Sequence, residues 1–384
     1  MGAKGKIGLI GLAVMGANLA RNLAGHGVST VVYNRSRDKT ENFLKEFGSD
    51  PNLSGAAALE ELVNSLEKPR KIILMIKAGE AVDAMMAKLV PFLEKGDILI
   101  DGGNSFFEDT RRRSREMEAL GLHFVGMGVS GGEEGALYGP SLMPGGAHEA
   151  YDALAPILKA VSAKAEGEAC VDYMGADGAG HYVKMVHNGI EYADMQMIAD
   201  TYFVMKNVLG MTAEEMADTW ETWNKGELSS YLVEITARIL RKADEMTGKP
   251  LVDVILDVAK QKGTGRWTSM SALALGVPAP TITEAVFARN VSSRKQERLI
   301  LSERYRDLAF EGTEVDRLAV LEDLRQALYA SKICAYAQGF NLLEEAGKVY
   351  GWDLQMGRIA KIWRSGCITV SYTHLRAHET LSDL

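Results

Sequence analysis

The first residues of this sequence that could do chemistry form a glycine-rich segment near the start of the chain. Gly11-Leu12-Ala13-Val14-Met15-Gly16 has the spacing G-x-G/A-x-x-G and directly follows the apolar run Ile7–Ile10. The first glycine permits a tight turn, the small second residue lets a pyrophosphate approach the backbone, and the last glycine lets helix and strand pack closely. Such a turn can also be purely structural, but its place between a strand and a helix predicts a dinucleotide site.

A second group, at the end of the next apolar run, indicates which dinucleotide binds. Tyr33-Asn34-Arg35-Ser36 stands where NAD-binding proteins usually place an acidic residue that holds the ribose 2′-hydroxyl. A carboxylate there would repel a 2′-phosphate, whereas Arg35 can form paired hydrogen bonds with it, and Asn34 and Ser36 can donate others. The sequence therefore predicts a nicotinamide-dependent oxidoreductase that prefers NADP; a solvated arginine in a turn is the alternative.

A third group shares one face of a predicted helix. Lys184, His187, Asn188 and Glu191 fall at positions i, i+3, i+4 and i+7. A competing apolar stripe on the same helix, formed by Val183, Val186 and Ile190, can supply the packing. Spacing alone leaves open whether the polar face meets water or a substrate.

Two glycine-containing loops follow predicted strands. These are Asp101–Ser105, which contains Asn104, and Val129–Gly132, which contains Ser130 and Gly131. Ligands of open α/β sheets bind at the carboxyl ends of the strands, so both loops are candidate anion sites, although each could be only a tight turn.

The elements that must position these residues differ between the two halves of the chain. In the first half, short apolar runs alternate with amphipathic segments, which predicts a doubly wound parallel sheet of the α/β class. The predicted strands are Ile7–Ile10, Thr30–Tyr33, Ile72–Ile76, Ile98–Asp101 and His123–Val125, and the predicted helices are Met15–Leu23, Lys39–Phe47, Ala81–Leu93 and Glu108–Leu120.

After the turn-rich residues 175–180, strand signals stop and amphipathic segments predict an all-helical region. The segments are 181–208, 213–224, 228–245, 251–260, 281–290, 315–345 and 353–364. We therefore predict a Rossmann-like domain over residues 1–178 and an all-α domain over 179–368.

Composition restricts the partners and the compartment. The 43 basic and 51 acidic residues give a net charge of −8, which argues against nucleic acid or an anionic membrane as the main partner. Cys170, Cys334 and Cys367 lack metal-ligand spacing and are odd in number, so neither a zinc site nor a disulfide framework is expected. Without an apolar run long enough to span a membrane or an evident signal peptide, we expect a cytoplasmic protein.

Taken in order, the motifs resemble 6-phosphogluconate dehydrogenase, the decarboxylating family of the pentose phosphate pathway. The resemblance rests on the glycine turn, Asn34-Arg35, Asp101–Ser105, Ser130–Gly135, Lys184–Tyr192, Ile255–Trp267 and Glu284–Asn290. Gln-Lys-Gly-Thr-Gly, residues 261–265, is the most distinctive of them. The resemblance implies that 6-phosphogluconate is oxidised at C3 and loses C1 as carbon dioxide, with NADP as hydride acceptor. It also implies that the protein is a homodimer.

The resemblance also implies individual roles. Lys184 acts as the base on the C3 hydroxyl and then polarises the ketone, and Glu191 protonates C1 of the enediol. Residues implied to bind the substrate are Asn104, Ser130, Gly131, Gly132, His187, Asn188, Tyr192, Lys262, Thr264 and Arg289. Residues implied to bind the cofactor are Gly11, Leu12, Ala13, Val14, Met15, Gly16, Asn34, Arg35, Ser36, Ile76, Lys77, Ala78 and Asn104.

The resemblance ends after Ile368. Residues 369–384 do not match the family pattern, and we interpret them as a non-family tail of artefactual origin on a chain truncated after about residue 368. The alternatives are another β-hydroxyacid dehydrogenase, which would lack Lys262-Gly263-Thr264, or an NADP-binding chain whose catalysis is impaired.

Overall fold

The computed structural model describes residues 4–306 and 315–367, which form two compact units. The first unit comprises the described residues 4–185 and 346–367, and the second comprises 186–306 and 315–345. The predicted tail, 369–384, lies outside the described residues. The domain boundary between residues 178 and 179 stays a prediction, because the division into units reflects packing alone.

Short strands, most of them almost fully buried, form the sheet of the first unit. They are β1 Ile7–Ile10, β2 Thr30–Tyr33, β3 Leu53–Gly55, β4 Lys71–Leu74, β5 Ile98–Asp101, β6 His123–Val129 and β7 Leu142–Gly146. The spatial order is β3-β2-β1-β4-β5-β6-β7. β1 to β6 pair in parallel and β7 pairs antiparallel with β6. The chain order reverses between β1 and β4, which is where doubly wound sheets bind their ligands.

Helices connect these strands, with a separate two-stranded ribbon, β8 Lys164–Ala165 and β9 Glu168–Ala169. They are α1 Val14–Gly25, α2 Arg37–Phe47, α3 Leu59–Asn64, α4 Glu80–Leu89, α5 Phe107–Ala119, α6 Gly132–Tyr138 and α7 His148–Val161. Alternate strand residues face opposite sides: Leu9 packs in one apolar cluster with Leu19 of α1, and Ile10 in another with Met86 of α4. Apolar side chains therefore cover both faces of the sheet, as the continuous apolar strands predict.

The rest of the described chain is helical. Its elements are α8 Ala179–Asn207, α9 Ala213–Trp223, α10 Tyr231–Arg241, α11 Leu251–Val254, α12 Thr264–Leu275, α13 Pro280–Ser293, α14 Lys295–Arg304, α15 Arg317–Tyr350 and α16 Met356–Ile362. In the second unit, Trp220 and Trp223 centre an apolar core with Leu240 and Leu328. The predicted fold class, a Rossmann-like sheet followed by an all-α region, is confirmed.

Several predicted elements differ from the structure. The helix predicted over 251–260 is wrong beyond Val254, because the apolar side chains that follow are not packed; Ile255 is 54% and Leu256 is 72% exposed. α12 was not predicted, because its buried face includes Thr268, Ser269 and Ser271 instead of an apolar stripe. β7, with the sequence Leu-Met-Pro-Gly-Gly, has no strand signal of its own and is defined by its pairing with β6.

Among residues 4–306 and 315–367, no helix is long and apolar enough to cross a membrane. In the same residues, no group of three or more His, Cys, Asp or Glu side chains has the geometry of a metal site.

Candidate active site

The glycine turn joins β1 to α1 with very little space around it. Gly11 has a positive φ of 104°, and a Cβ placed there would lie 2.4 Å from the carbonyl oxygen of Met75. A Cβ on Gly16 would lie 1.9 Å from the carbonyl oxygen of Gly11. Side chains at either position would force the turn apart, so the turn needs glycine at both. The N-terminus of α1 is consequently left open to a ligand, as in dinucleotide-binding turns.

Asn34 connects this turn to the end of β2. Its Oδ1 accepts a hydrogen bond from the backbone N–H of Leu12 at 3.1 Å, and its Nδ2 donates to the carbonyl of Ser36 at 3.2 Å. The side chain that the sequence offered as a donor to the 2′-phosphate thus shapes the loop that carries Arg35 and Ser36.

A cavity of about 570 Å³ opens in front of this turn. It is lined by predicted cofactor residues from four segments: Gly11, Ala13, Met15, Asn34, Arg35, Ser36, Ile76, Lys77 and Asn104. The remaining predicted cofactor residues, Leu12, Val14, Gly16 and Ala78, do not line it. Leu12 and Gly16 instead support the turn from behind, since both are buried.

The lining of this cavity is cationic. Besides Arg35 and Lys77 it includes Lys39 of α2 and Lys88 of α4, and none of the described residues that line it is Asp or Glu. The two additional lysines were missed by the sequence reasoning, although Lys39 lies only one helical turn after Ser36. A cavity with this charge and with a backbone cradle fits a phosphorylated dinucleotide.

The loop after β5 is held internally. The buried Asp101 carboxylate accepts hydrogen bonds from the Gly103 N–H at 3.0 Å and from the Ser105 hydroxyl at 2.6 Å. The Gly103 N–H is therefore already used, which weakens the interpretation of this loop as an anion cradle. Asn104 is left exposed towards the cavity.

Lys184 reaches the end of β6 because glycines clear its path. A Cβ on Gly128 would lie 2.4 Å from Lys184 Cβ, and one on Gly180 would lie 2.2 Å from the carbonyl oxygen of Gly126. The first turn of α8 therefore packs directly on the β6 backbone. There Lys184 Nζ, on a side chain that is 5% exposed, donates a hydrogen bond to Ser130 Oγ at 3.1 Å.

We expect Gly128→Ala to destabilise the first unit by about 1–3 kcal/mol, because overpacking must displace Lys184 or β6. Turnover per folded molecule should fall as well. Gly25→Ala is the matched control, since a Cβ there meets nothing within 4 Å. Chemical unfolding measures the stability of each variant, and initial rates measure its turnover. Equal stability of the two variants would contradict the close approach of Lys184 to Gly128.

The polar face of α8 is not a solvated surface. His187 is fully buried, and Glu191 is 9% exposed. Asn188 Nδ2 donates to Glu191 Oε2 at 2.8 Å, while Asn188 Oδ1 is buried with no hydrogen-bond partner among the described residues. An acceptor left in this state can take a hydroxyl donor from a ligand. The alternative of a water-facing stripe is therefore wrong for this helix.

A second cluster in the helical unit joins other predicted substrate residues. The Arg289 guanidinium lies 4.1 Å from the Tyr192 ring centroid, and its Nη1 donates to the carbonyl of Lys260 at 2.9 Å. A Cβ on Gly265 would lie 2.5 Å from the Tyr192 ring, so the first turn of α12, which begins at Thr264, packs against this ring. The structure brings Tyr192 and Arg289 together beside the first turn of α12, where Thr264 is buried, and Lys262 lies exposed in the segment that Arg289 holds.

Burial also makes the stability of the first unit depend on pH through His181. Desolvation lowers the pKa of His181 below its ordinary 6.5, so the folded chain excludes a proton that the unfolded chain binds. The free energy of unfolding should then be largest above about pH 6.5 and decrease as the pH falls, by at most about 1.4 kcal/mol per pH unit. Urea unfolding between about pH 7 and about pH 5 should show a shallower decrease for His181→Gln; an unchanged slope would contradict this.

Comparison with known proteins agrees with this geometry. The NAD binding domain of 6-phosphogluconate dehydrogenase matches residues 6–175, and the C-terminal domain of the same enzyme matches residues 180–381. The NADP(+)-dependent, decarboxylating 6-phosphogluconate dehydrogenase of Bacillus subtilis is 58% identical over 366 residues, which are 95% of this chain and 78% of that relative.

Two solved structures extend the comparison. A 6-phosphogluconate dehydrogenase of Plasmodium falciparum has a TM-score of 0.94 and 44% identity, covering 98% of this chain and 81% of that one. A 3-hydroxyisobutyrate dehydrogenase of Mycobacterium tuberculosis has a TM-score of 0.55 at 20% identity, covering 84% and 99%. The second likeness shows a shared fold alone.

The sheet order, the glycine turn and the cationic cavity define a dinucleotide-binding protein of the Rossmann class with a helical second part. Within that class, the chain belongs to the 6-phosphogluconate dehydrogenase family.

Proposed function

We propose that the protein oxidises and decarboxylates 6-phosphogluconate to ribulose 5-phosphate and carbon dioxide, with reduction of NADP to NADPH. The observation that carries this proposal is the buried Lys184 Nζ–Ser130 Oγ contact at the end of β6, the same sheet edge at which the cationic cavity opens. The Bacillus subtilis relative is named as NADP(+)-dependent and decarboxylating, and the Plasmodium falciparum protein is described with NADP+ as cofactor and 6-phosphogluconate as substrate.

The cavity residues hold the cofactor. Gly11, Ala13 and Met15 receive the pyrophosphate side, with the cations Arg35 and Lys39 near the 2′-phosphate. The predicted roles of Leu12, Val14, Gly16, Asn34, Ser36, Ile76, Lys77, Ala78 and Asn104 are part of the same proposal. When bound, NADP supplies the acceptor for the hydride from C3.

Lys184 moves the proton of the oxidised hydroxyl. Its Nζ takes the proton of the C3 hydroxyl as the C3–H bond is broken, which leaves a 3-keto acid. The protonated Nζ then donates to the ketone oxygen while the C1–C2 bond breaks, so the electron pair moves towards that oxygen and carbon dioxide leaves. The ketone is itself the electron sink, and the step needs no metal ion.

The helical unit completes the reaction. Glu191 protonates the enediol at the carbon that lost carbon dioxide, which is C2 of 6-phosphogluconate and becomes C1 of ribulose 5-phosphate. Asn188 Oδ1, the buried acceptor without a partner among the described residues, accepts from a substrate hydroxyl. Ser130, Gly131, Gly132 and His187 hold the carboxylate and hydroxyls with Asn104, while Tyr192, Lys262, Thr264 and Arg289 hold the phosphate.

The direct test is an assay of the purified chain with NADP and 6-phosphogluconate. We expect NADPH and carbon dioxide to form in equal amounts, and little turnover with 3-hydroxyisobutyrate. Turnover of 3-hydroxyisobutyrate alone would favour a different β-hydroxyacid dehydrogenase. NADP binding without formation of NADPH or carbon dioxide would favour a chain that binds the cofactor but is catalytically impaired.

We also propose that two copies form a homodimer in the cytoplasm. Apolar side chains on α12, α13 and α14 are exposed, among them Leu273 at 77%, Phe287 at 57% and Ile300 at 65%. Several large apolar side chains exposed on consecutive helices are typical of an interface. The cysteines Cys170, Cys334 and Cys367 form no disulfide, which suits a reducing compartment. Light scattering should give the mass of a dimer, and a monomer at micromolar concentration would contradict it.

A further inference from the structure

A buried polar network joins three segments on which proposed site residues lie. These are the loop with Asn104, the loop with Lys77 and the first turns of α8 with Lys184. The centre of the network is Asp101, a fully buried residue at the end of β5. The carboxylate of Asp101 closes the following loop through Gly103 N–H and the Ser105 hydroxyl. Because Asn104 lies between these two contacts, the Asp101 carboxylate determines where Asn104 stands in the cavity.

His181 holds the backbone of Asp101 from the helix side. Its Nε2 lies 3.0 Å from the Asp101 carbonyl oxygen, and its Nδ1 lies 2.7 Å from the Thr110 hydroxyl. A carbonyl can only accept, so Nε2 carries the proton and Nδ1 of the neutral ring accepts from Thr110. His181 lies one helical turn before Lys184 on α8, so the same helical turn joins Lys184 to the Asn104 loop.

Arg113 holds the Asp101 carboxylate from the other side. Its guanidinium is fully buried, and Nη1 lies 3.5 Å from Asp101 Oδ2, so the two groups attract each other as an ion pair without a hydrogen bond. Nη2 donates to the carbonyl of Gly79 at 3.0 Å, and Nε and Nη2 form a paired contact with Asp83 at 2.8 and 2.9 Å. Gly79 ends the cofactor loop that contains Lys77 and directly precedes α4. Arg113 therefore fixes this loop relative to Asp101.

A purely stabilising role explains this arrangement poorly. Buried ion pairs contribute little net stability, and apolar replacements of the same volume are often as stable or more so. What the network does provide is a fixed geometry, since its hydrogen bonds are directional and those of Asp101 and His181 are buried away from water.

We propose that Arg113 and His181 are positioning residues that act through Asp101 to hold Asn104, the 76–79 loop and Lys184 in the arrangement needed for hydride transfer. The expected effect on turnover rests on the proposed function, whereas the expected loosening of the Asn104 loop does not. If the network is loosened, the bound substrate and NADP should adopt the geometry needed for hydride transfer less often. NADP affinity should fall less, because the cations of the cavity remain.

The first test measures hydrogen exchange of the whole chain by mass spectrometry. His181→Leu and Arg113→Met should accelerate exchange in peptides covering residues 102–106, while exchange in the helices of the second unit stays as in the unmodified chain. The matched controls are His148→Leu and Arg115→Met, both at exposed positions. Exchange at residues 102–106 that stays unchanged, or acceleration equal throughout the chain, would overturn the proposal, with or without enzymatic turnover.

The second test is kinetic and uses 6-phosphogluconate deuterated at C3. The same variants should lower kcat by about 10–100-fold with less than about a threefold change in the Kd of NADP. The deuterium isotope effect on kcat should rise, because hydride transfer becomes slower relative to product release. A loss caused by unfolded molecules alone would leave the isotope effect unchanged and would overturn the proposal.

Conservative variants keep the test decisive if the buried replacements fail to fold. His181→Gln retains a donor for the Asp101 carbonyl and should recover most of kcat and the slow exchange. Asp83→Asn alters the network from its partly exposed end, where Arg113 holds the pKa of Asp83 down at about 2. Asp83→Asn should lower kcat as well, but by a smaller factor. The proposal would be contradicted if Asp83→Asn behaved like the unmodified chain and His181→Gln turned over as slowly as His181→Leu. Absence of turnover in the unmodified chain would reject the proposed function alone, because the exchange result still decides the positioning role.

Discussion

Replacing Lys184 with alanine is expected to lower kcat by about 10²–10⁴-fold, the range typical of a missing general acid–base group. The physical reason is that Lys184 Nζ lies at the end of β6, almost fully buried and 3.1 Å from Ser130 Oγ. Water has little access to this position, so it cannot readily take over the proton transfer of the missing amine. NADP affinity should change little, because Lys184 does not line the cationic cavity.

The measurement is a steady-state assay with 6-phosphogluconate together with a fluorescence titration of NADP. Lys184→Met preserves most of the side-chain volume without the amine, so it separates the chemical effect from a packing defect. Lys159→Ala, at an exposed position on α7, is the matched control. Turnover of Lys184→Met within a few-fold of the unmodified chain would reject the catalytic role of Lys184.

Replacing Arg35 with alanine should lower kcat/KM for NADP on the order of 10–150-fold and leave kcat/KM for NAD nearly unchanged. Charge-assisted hydrogen bonds to a phosphate contribute about 1.5–3 kcal/mol, and only NADP carries the 2′-phosphate. Arg35 lines the cavity beside Ser36 and Lys39, so a cation remains after the substitution. Combining Arg35→Ala with Lys39→Ala should therefore weaken NADP further.

The matched control is Arg37→Ala. Arg37 lies two residues further on, does not line the cavity, and pairs with Glu41 at 2.7 Å on the exposed face of α2. It should leave the preference for NADP intact. Raising the salt concentration should reduce the difference between Arg35→Ala and the unmodified chain, since exposed charges are screened. If Arg35→Ala keeps its NADP preference, the 2′-phosphate assignment is wrong.

The parts of the fold that follow from local pattern could be predicted well. β1, β2 and β5 have the predicted bounds, because a buried parallel strand requires a continuous apolar run. The turn at residues 11–16 could be placed because its glycines are required by local geometry. β3, β7 and α12 could not be predicted, since each is stabilised by its neighbours rather than by its own pattern.

The candidate site divides in the same way. The sequence located Lys184, Asn188 and Glu191 on one helix face, but spacing could not show whether water covers that face. Burial of the face is a property of the packed structure, as is the contact between Lys184 and Ser130. The close approach of α8 to β6 could have been inferred from the glycines at alternate positions of β6, Gly126 and Gly128.

By itself, then, the sequence determined the α/β class, the dinucleotide turn and the preference for a phosphorylated cofactor, because glycine conformation, apolar period and side-chain charge act over a few residues. Tertiary structure decided what depends on distant segments. Lys39 and Lys88 join Arg35 in one cavity only after the sheet has formed, and Arg113 and His181 meet Asp101 only when α5 and α8 pack beside β5. Long-range contacts of this kind follow from the packing of the whole unit, which no short window of residues specifies.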